Sequence, residues 1–255
     1  MRVKLLAIAA TAALATLLTP AAAQANHSWG GYHWARTANP FTIALGDNVN
    51  SSWDSYLGVA SADWTRSTVL DTRVVAGSGN PRTCKATAGM VQVCNAAYGN
   101  NGWLGIASIS ITGGTHITQG SVKLNDTYFA QAQYNTPAYR ALVTCQEIGH
   151  TFGLDHQDEV FTNPNLGTCM DYTDDPSTNQ HPNQHDYDQL VTIYSHLDST
   201  STVGSGAAAG PGKPQVGNDA STWGTRVEGS RASGHATYVR DFGAGQSVIT
   251  FVTWA

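Results

Sequence analysis

The chain has 255 residues, a formal net charge of −5 and only 12% charged residues, with no basic run beyond its N-terminal segment. That balance argues against nucleic acid or an anionic membrane surface as a partner. An apolar fraction of 41% with seven tryptophans suits a globular core.

Residues 1–25 read as a secretory signal. Arg2 and Lys4 form a positive start, Leu5 to Leu18 is an apolar stretch too short to span a bilayer, and Ala23-Gln24-Ala25 supplies an A-x-A cleavage pattern. The mature chain is expected to start near Asn26 and to be secreted, extracellular and monomeric, with no membrane segment. Four cysteines in an exported chain, at 84, 94, 145 and 169, suggest two disulfides, with three pairings open.

Phe41 to Leu45 reads as a first strand after Pro40. Ser51 to Ser67 reads as a helix whose Trp53, Leu57, Ala60 and Trp64 form an apolar stripe for the core. Thr68 to Val75 and Met90 to Val93 are further strands. Trp103 to Ile111 alternates near its end and is bounded by Asn100-Asn101-Gly102 and Gly113-Gly114. Gly120 to Asp126 is strand-like. Thr136-Pro137 then has the form of an N-cap followed by Pro at the first helical position, and Tyr139, Leu142, Val143, Gln146 and His150 follow at helical spacing.

That helix carries the chemistry. Cys145 to His156 reads Q-E-x-x-H-x-x-G-x-x-H, one residue from the extended zinc-protease motif H-E-x-x-H-x-x-G-x-x-H. On a helix Gln146 and His150 share one face, and Glu147 beside them can reach a water bound at the same point. Gly153 can take the positive φ that ends the helix, turning the chain so that His156 reaches the point from another side.

From Asp171 to His185 the chain is polar. Its carboxylates could hold Ca2+, although they lack the spacing of a known calcium loop, and a solvated loop is the better reading. His185 to Leu197 reads as a closing helix with a stripe of Tyr187, Leu190, Val191, Tyr194 and Leu197. Residues 200–222 are Ser/Gly/Ala-rich and read as a linker. In residues 223–255, His235 to Asp241 and Ser247 to Trp254 look like a small β-hairpin. Two strands alone are marginal, so the hairpin is expected to dock on the main domain. It carries no catalytic signature.

Over residues 26–199 the chain resembles the metzincins, the zinc endopeptidases that include matrixins, astacins and serralysins. The resemblance is strongest from Cys145 to Tyr172. It implies an α+β fold, with a twisted mixed sheet, an active-site helix and a methionine turn at Met170, extended here by the C-terminal hairpin. It implies one catalytic Zn2+ held by Gln146, His150 and His156, and Glu147 as general base. Met170-Asp171-Tyr172 matches the family's Met-x-Tyr and makes Tyr172 a candidate oxyanion stabiliser. Because the family fold brings those segments together, it favours Cys145–Cys169, leaving Cys84–Cys94 to close a local loop. It places extended protein or peptide substrate against Trp103 to Ile111 by antiparallel strand addition, with the 171–185 loop as pocket wall.

Gln146 departs from the family's first histidine. A glutamine oxygen is a neutral, weaker donor than imidazole. An active enzyme with an unusual ligand set is one reading, with His181 or His185 supplying the missing ligand as a variant. The other is a catalytically inactive extracellular binding protein that holds a partner by its cleft edge or its hairpin.

Overall fold

Phe41, Ile43 and Leu45 turn inward in alternation along β2 (Phe41–Asn48), the pattern of a strand with one face on a core. The computed structural model describes residues 27–204 and 214–255. The signal at residues 1–25 and part of the linker lie outside the described residues. β1 (His33–Trp34) precedes β2, and after α1 (Asp54–Trp64) come β3 (Leu70–Ala76), β4 (Met90–Ala96), β5 (Trp103–Thr112) and β6 (His116–Asn125). After α2 (Asp126–Phe129) come α3 (Pro137–His150) and α4 (Gln184–Ile193), then β7 (Thr225–Ser230), β8 (His235–Gly243) and β9 (Gln246–Trp254).

The strands form one mixed sheet in the order β3-β2-β4-β6-β5-β9-β8-β7, with β1 alongside β6. The β3, β2, β4 and β6 pairings are parallel, and β5 runs antiparallel to both β6 and β9. The α+β expectation therefore agrees with a mixed sheet carrying few helices. Two expectations need correction. Trp103 to Ile111 is not an open edge, because Trp103 to Ile111 pair with β9 from Trp254 back to Ser247. The C-terminal part is also more than a hairpin, since β7 adds a third strand to the same sheet.

β5 and β6 are buried along almost their whole length rather than in alternation. Both faces are covered. Ala107, Ile109, Ile111, Val122 and Leu124 join the main core beneath α3. Ser110 and Lys123 face the other way, onto residues 214–218 of the presumed linker: Ser110 Oγ donates to Pro214 O and Lys123 Nζ to Asn218 Oδ1. Burial lowers the Lys123 pKa to about 8. Its ammonium is a buried charge below that pH, and the penalty fades as pH rises from about 8 toward the unfolded value of 10.5. Lys123→Met is expected to raise stability at pH 7 by about 1–3 kcal/mol. It should also flatten the rise in stability between pH 8 and 10.5, read by urea unfolding across pH.

α3 begins as its sequence indicates, with the Thr136 side chain accepting from Tyr139 N and Pro137 in the first turn. Just beyond its other end, side chains take up carbonyls the helix leaves free: Trp34 Nε1 donates to Thr151 O and the Tyr194 hydroxyl to Phe152 O, both at 2.8 Å. The disulfides are Cys84–Cys94 and Cys145–Cys169, the second tying α3 to the 169–172 turn. α4 is shorter than its pattern. Asn183 caps it in a reciprocal pair with Asp186 and it stops at Ile193, so Leu197 lies beyond it and is exposed, while Val191, within the helix, is on its outer face rather than part of the stripe. No helix among the described residues is long and apolar enough to cross a membrane.

Candidate active site

α3 delivers Gln146, Glu147 and His150 to one place, all fully buried. Gly105 of β5 makes the room. A Cβ there would sit 2.5 Å from Glu147 Oε1, so the carboxylate can lie against the strand only where a side chain is missing. Gly149 does the same beneath the helix, where a Cβ would meet the Met170 sulfur and the Trp64 ring at 2.7 Å. Gly153 has φ +94°, and a Cβ there would run into the Tyr32 carbonyl, so the chain can reverse only at glycine.

His150 Nδ1 lies 2.9 Å from Leu154 O. A carbonyl only accepts, so Nδ1 carries the proton and Nε2 presents a lone pair. That Nε2 is buried and has no partner. Burial, reinforced by nearby His156, pushes the His150 pKa down to about 3, which keeps the ring neutral. Glu147 is raised to about 8 by burial, against the pull of the Thr253 hydroxyl and of His156. Its Oε2 also lacks a partner.

His156 follows the turn at Gly153 and its ring meets His150 edge-on, with centroids 4.5 Å apart. Its Nε2 lies 2.7 Å from the Tyr172 hydroxyl. On the other side Nδ1 is 3.4 Å from Asp155 Oδ1 and 3.5 Å from Glu159 Oε1. Burial disfavours its charge, but Asp155 and Glu159 outweigh that and hold its pKa up to about 9. Tyr172 is fully buried and its pKa is raised well above 10, by burial first and then by the surrounding carboxylates, so its hydroxyl keeps its proton.

The C-terminal strands complete the site, which corrects the reading that they carry no catalytic signature. Phe251 of β9 stacks flat on His150 at 4.3 Å. The Thr253 hydroxyl lies 2.9 Å from Gln146 Oε1 and 2.7 Å from Glu147 Oε1. His235 of β8 stacks on Tyr172 and places Nε2 3.2 Å from Glu159 Oε2. Phe251 and Thr253 are two apart, so the strand period puts both on one face. Nothing local in the sequence says which face they meet.

Neither alternative ligand comes in. His181 Nδ1 lies 2.6 Å from Asp63 Oδ2 on α1, and His185 stacks on His27. Two of the 171–185 carboxylates are engaged in the loop's own bonds: Asp171 Oδ2 accepts from Leu166 N and Asn179 Nδ2, and Asp175 caps a short turn. They offer no calcium cage.

The fit of a metal ion rests on the donor set. One hydroxyl proton on Thr253 cannot serve two acceptors. Turning the Gln146 amide by 180° resolves the conflict: its NH2 donates to Thr253, Thr253 donates to Glu147, and the amide oxygen is left free. That oxygen and His150 Nε2 then suit a borderline divalent ion such as zinc. Beside them a cleft of about 320 Å3 opens, lined in part by Leu104, Gln146, Tyr172, Asp174 and Thr253.

No protein-family model matches the chain, and no curated protein does. Among solved structures the chain is similar to high choriolytic enzyme 1, a hatching enzyme zinc-protease from Oryzias latipes (medaka fish), at 11% identity and a TM-score of 0.34, covering 67% of this chain and 98% of that one.

Proposed function

We propose that the chain is a secreted, zinc-dependent endopeptidase acting on protein or peptide substrates, with its own C-terminal strands lying in the cleft. The observation that carries this reading is the set of buried polar atoms without partners on one stretch of α3: the outward amide atom of Gln146, which is its oxygen once the amide is turned, Glu147 Oε2 and His150 Nε2. Each such atom costs about 1–3 kcal/mol. An inert core has no reason to concentrate three of them, whereas a metal ion and its water would satisfy the group.

Gln146, His150 and His156 would hold the ion, His156 as the neutral imidazole. Bound there, zinc would make its water acidic and polarise the scissile carbonyl. Glu147 Oε2, unpartnered and on a carboxylate of raised pKa, takes a proton from the water and returns it to the leaving amine. The Tyr172 hydroxyl, which keeps its proton, donates to the developing oxyanion. Phe251 and Thr253 stand over these atoms and must shift for substrate to enter.

A second reading, a catalytically inactive extracellular binding protein, draws on the filled edge of β5. Zinc content after exhaustive dialysis, with chelator-sensitive cleavage of a peptide library, separates the two. The endopeptidase reading expects zinc at this site and cleavage that the chelator stops. No cleavage by zinc-loaded protein, including variants that loosen β9, would support the binding protein.

A further inference from the structure

A second group of metal donors lies where β1, β6 and the segment after α4 meet. β1 and β6 pair in parallel with His33 opposite His116. His196 and Asp198 arrive from beyond α4, and Asp198 N donates to Arg36 O at 2.9 Å. Asp198 Oδ1 is the hub. It lies 3.5 Å from His33 Nε2, 3.2 Å from His116 Nε2 and 3.8 Å from His196 Nε2. His33 Nε2 and His196 Nε2 are themselves 3.2 Å apart.

The separations among His33, His196 and Asp198 suit three corners of a tetrahedral metal centre. With metal–ligand bonds of roughly 2.0–2.1 Å, neighbouring donors in a tetrahedron lie roughly 3.3 Å apart. The orientation of the groups points the same way. His33 Nδ1 lies 2.9 Å from Gly31 O, so it holds the proton and Nε2 faces the cluster as a lone pair. The other Asp198 oxygen is held at 3.0 Å by Arg36 Nη1, whose side chain is 2% exposed, which leaves Oδ1 aimed inward. A lone pair on His33 facing a carboxylate oxygen at 3.5 Å and a second imidazole nitrogen at 3.2 Å is a donor set that a shared cation would satisfy. The His196 ring is 52% exposed, which gives an ion a route in.

We propose that His33, His196 and Asp198, with His116 beside them on Asp198 Oδ1, form a zinc site separate from the Gln146–His150–His156 centre. Two imidazoles and one carboxylate are a zinc-type set, with water as the fourth ligand. The site would staple β1, a strand of two residues, to the segment after α4, beside the central strand β6.

The test compares the full chain with a His116→Ala/His196→Ala variant. Both side chains are at least 32% exposed, so the change leaves the core intact. Zinc per chain is measured after dialysis, and the melting temperature with and without added zinc. The variant is expected to hold one zinc fewer, to bind its remaining equivalent unchanged, and to lose the zinc-dependent rise in Tm belonging to this site. Affinity here should weaken by more than about 100-fold. Asp198→Asn, which keeps the side chain's shape, should show the same loss of one equivalent. Equal zinc content and equal Tm response in wild type and variants would overturn the proposal. Because the reading is a difference between chains, it does not depend on whether the Gln146 centre holds zinc.

Discussion

Glu147→Ala is expected to abolish peptide cleavage, a loss of about 10²–10⁴-fold in kcat, while leaving the zinc content of the chain unchanged. The carboxylate is not among the proposed ligands; its removal takes the Oε1 acceptor from the Thr253 hydroxyl, while Oε2 has no partner to orphan. The variant also relieves a buried carboxyl whose pKa stands near 8, so it should fold at least as stably as wild type. Kinetics on a peptide library, paired with zinc analysis of the same samples, reads both halves. Full activity in the variant would remove Glu147 from the mechanism. Loss of zinc together with activity would mean that the residue holds the ion rather than moving a proton.

The second large effect concerns Phe251. Its ring is 1% exposed, lies flat on His150 and meets Trp29 edge-on. Phe251→Ala is expected to cost about 3–5 kcal/mol in stability through lost burial and the cavity left behind. If β9 holds the cleft shut, the same change should raise peptide cleavage, by about tenfold for each 1.4 kcal/mol by which it favours the open state. The double variant Phe251→Ala/Glu147→Ala should be as unstable and yet inactive. A destabilised single variant with no gain in cleavage would mark β9 as core alone.

How far the sequence reaches is plain from these residues. The start of α3 was legible because Thr136 and Pro137 act on the turn next to them. The stripe of α1 was legible because Leu57, Ala60 and Trp64 obey the helical period whatever they pack against. Strand pairing is a contact across the chain, and no local pattern in β5 names β9 as its neighbour. For that reason Thr253, Phe251 and His235 went unseen as parts of the site, although the motif they cover stood out. The two-residue β1 was invisible for a related reason: too short to show a period, it is held by its register to β6. The buried polar face of β5 and β6 had the same cause, since residues 214–218 that cover it read as linker.

The β5–β9 ladder sets an order of events during synthesis. β5 leaves the ribosome long before its partner, and its outer row of backbone N–H and C=O groups has no strand to meet until Gln246–Trp254 has been made. For that interval the nascent chain displays an apolar strand edge, the kind of surface on which chains pair wrongly with one another. The residues of β9, made well after β5, are therefore the ones that end the molecule's exposure to its own copies, and a ribosome that stops before them releases a chain with a sticky edge.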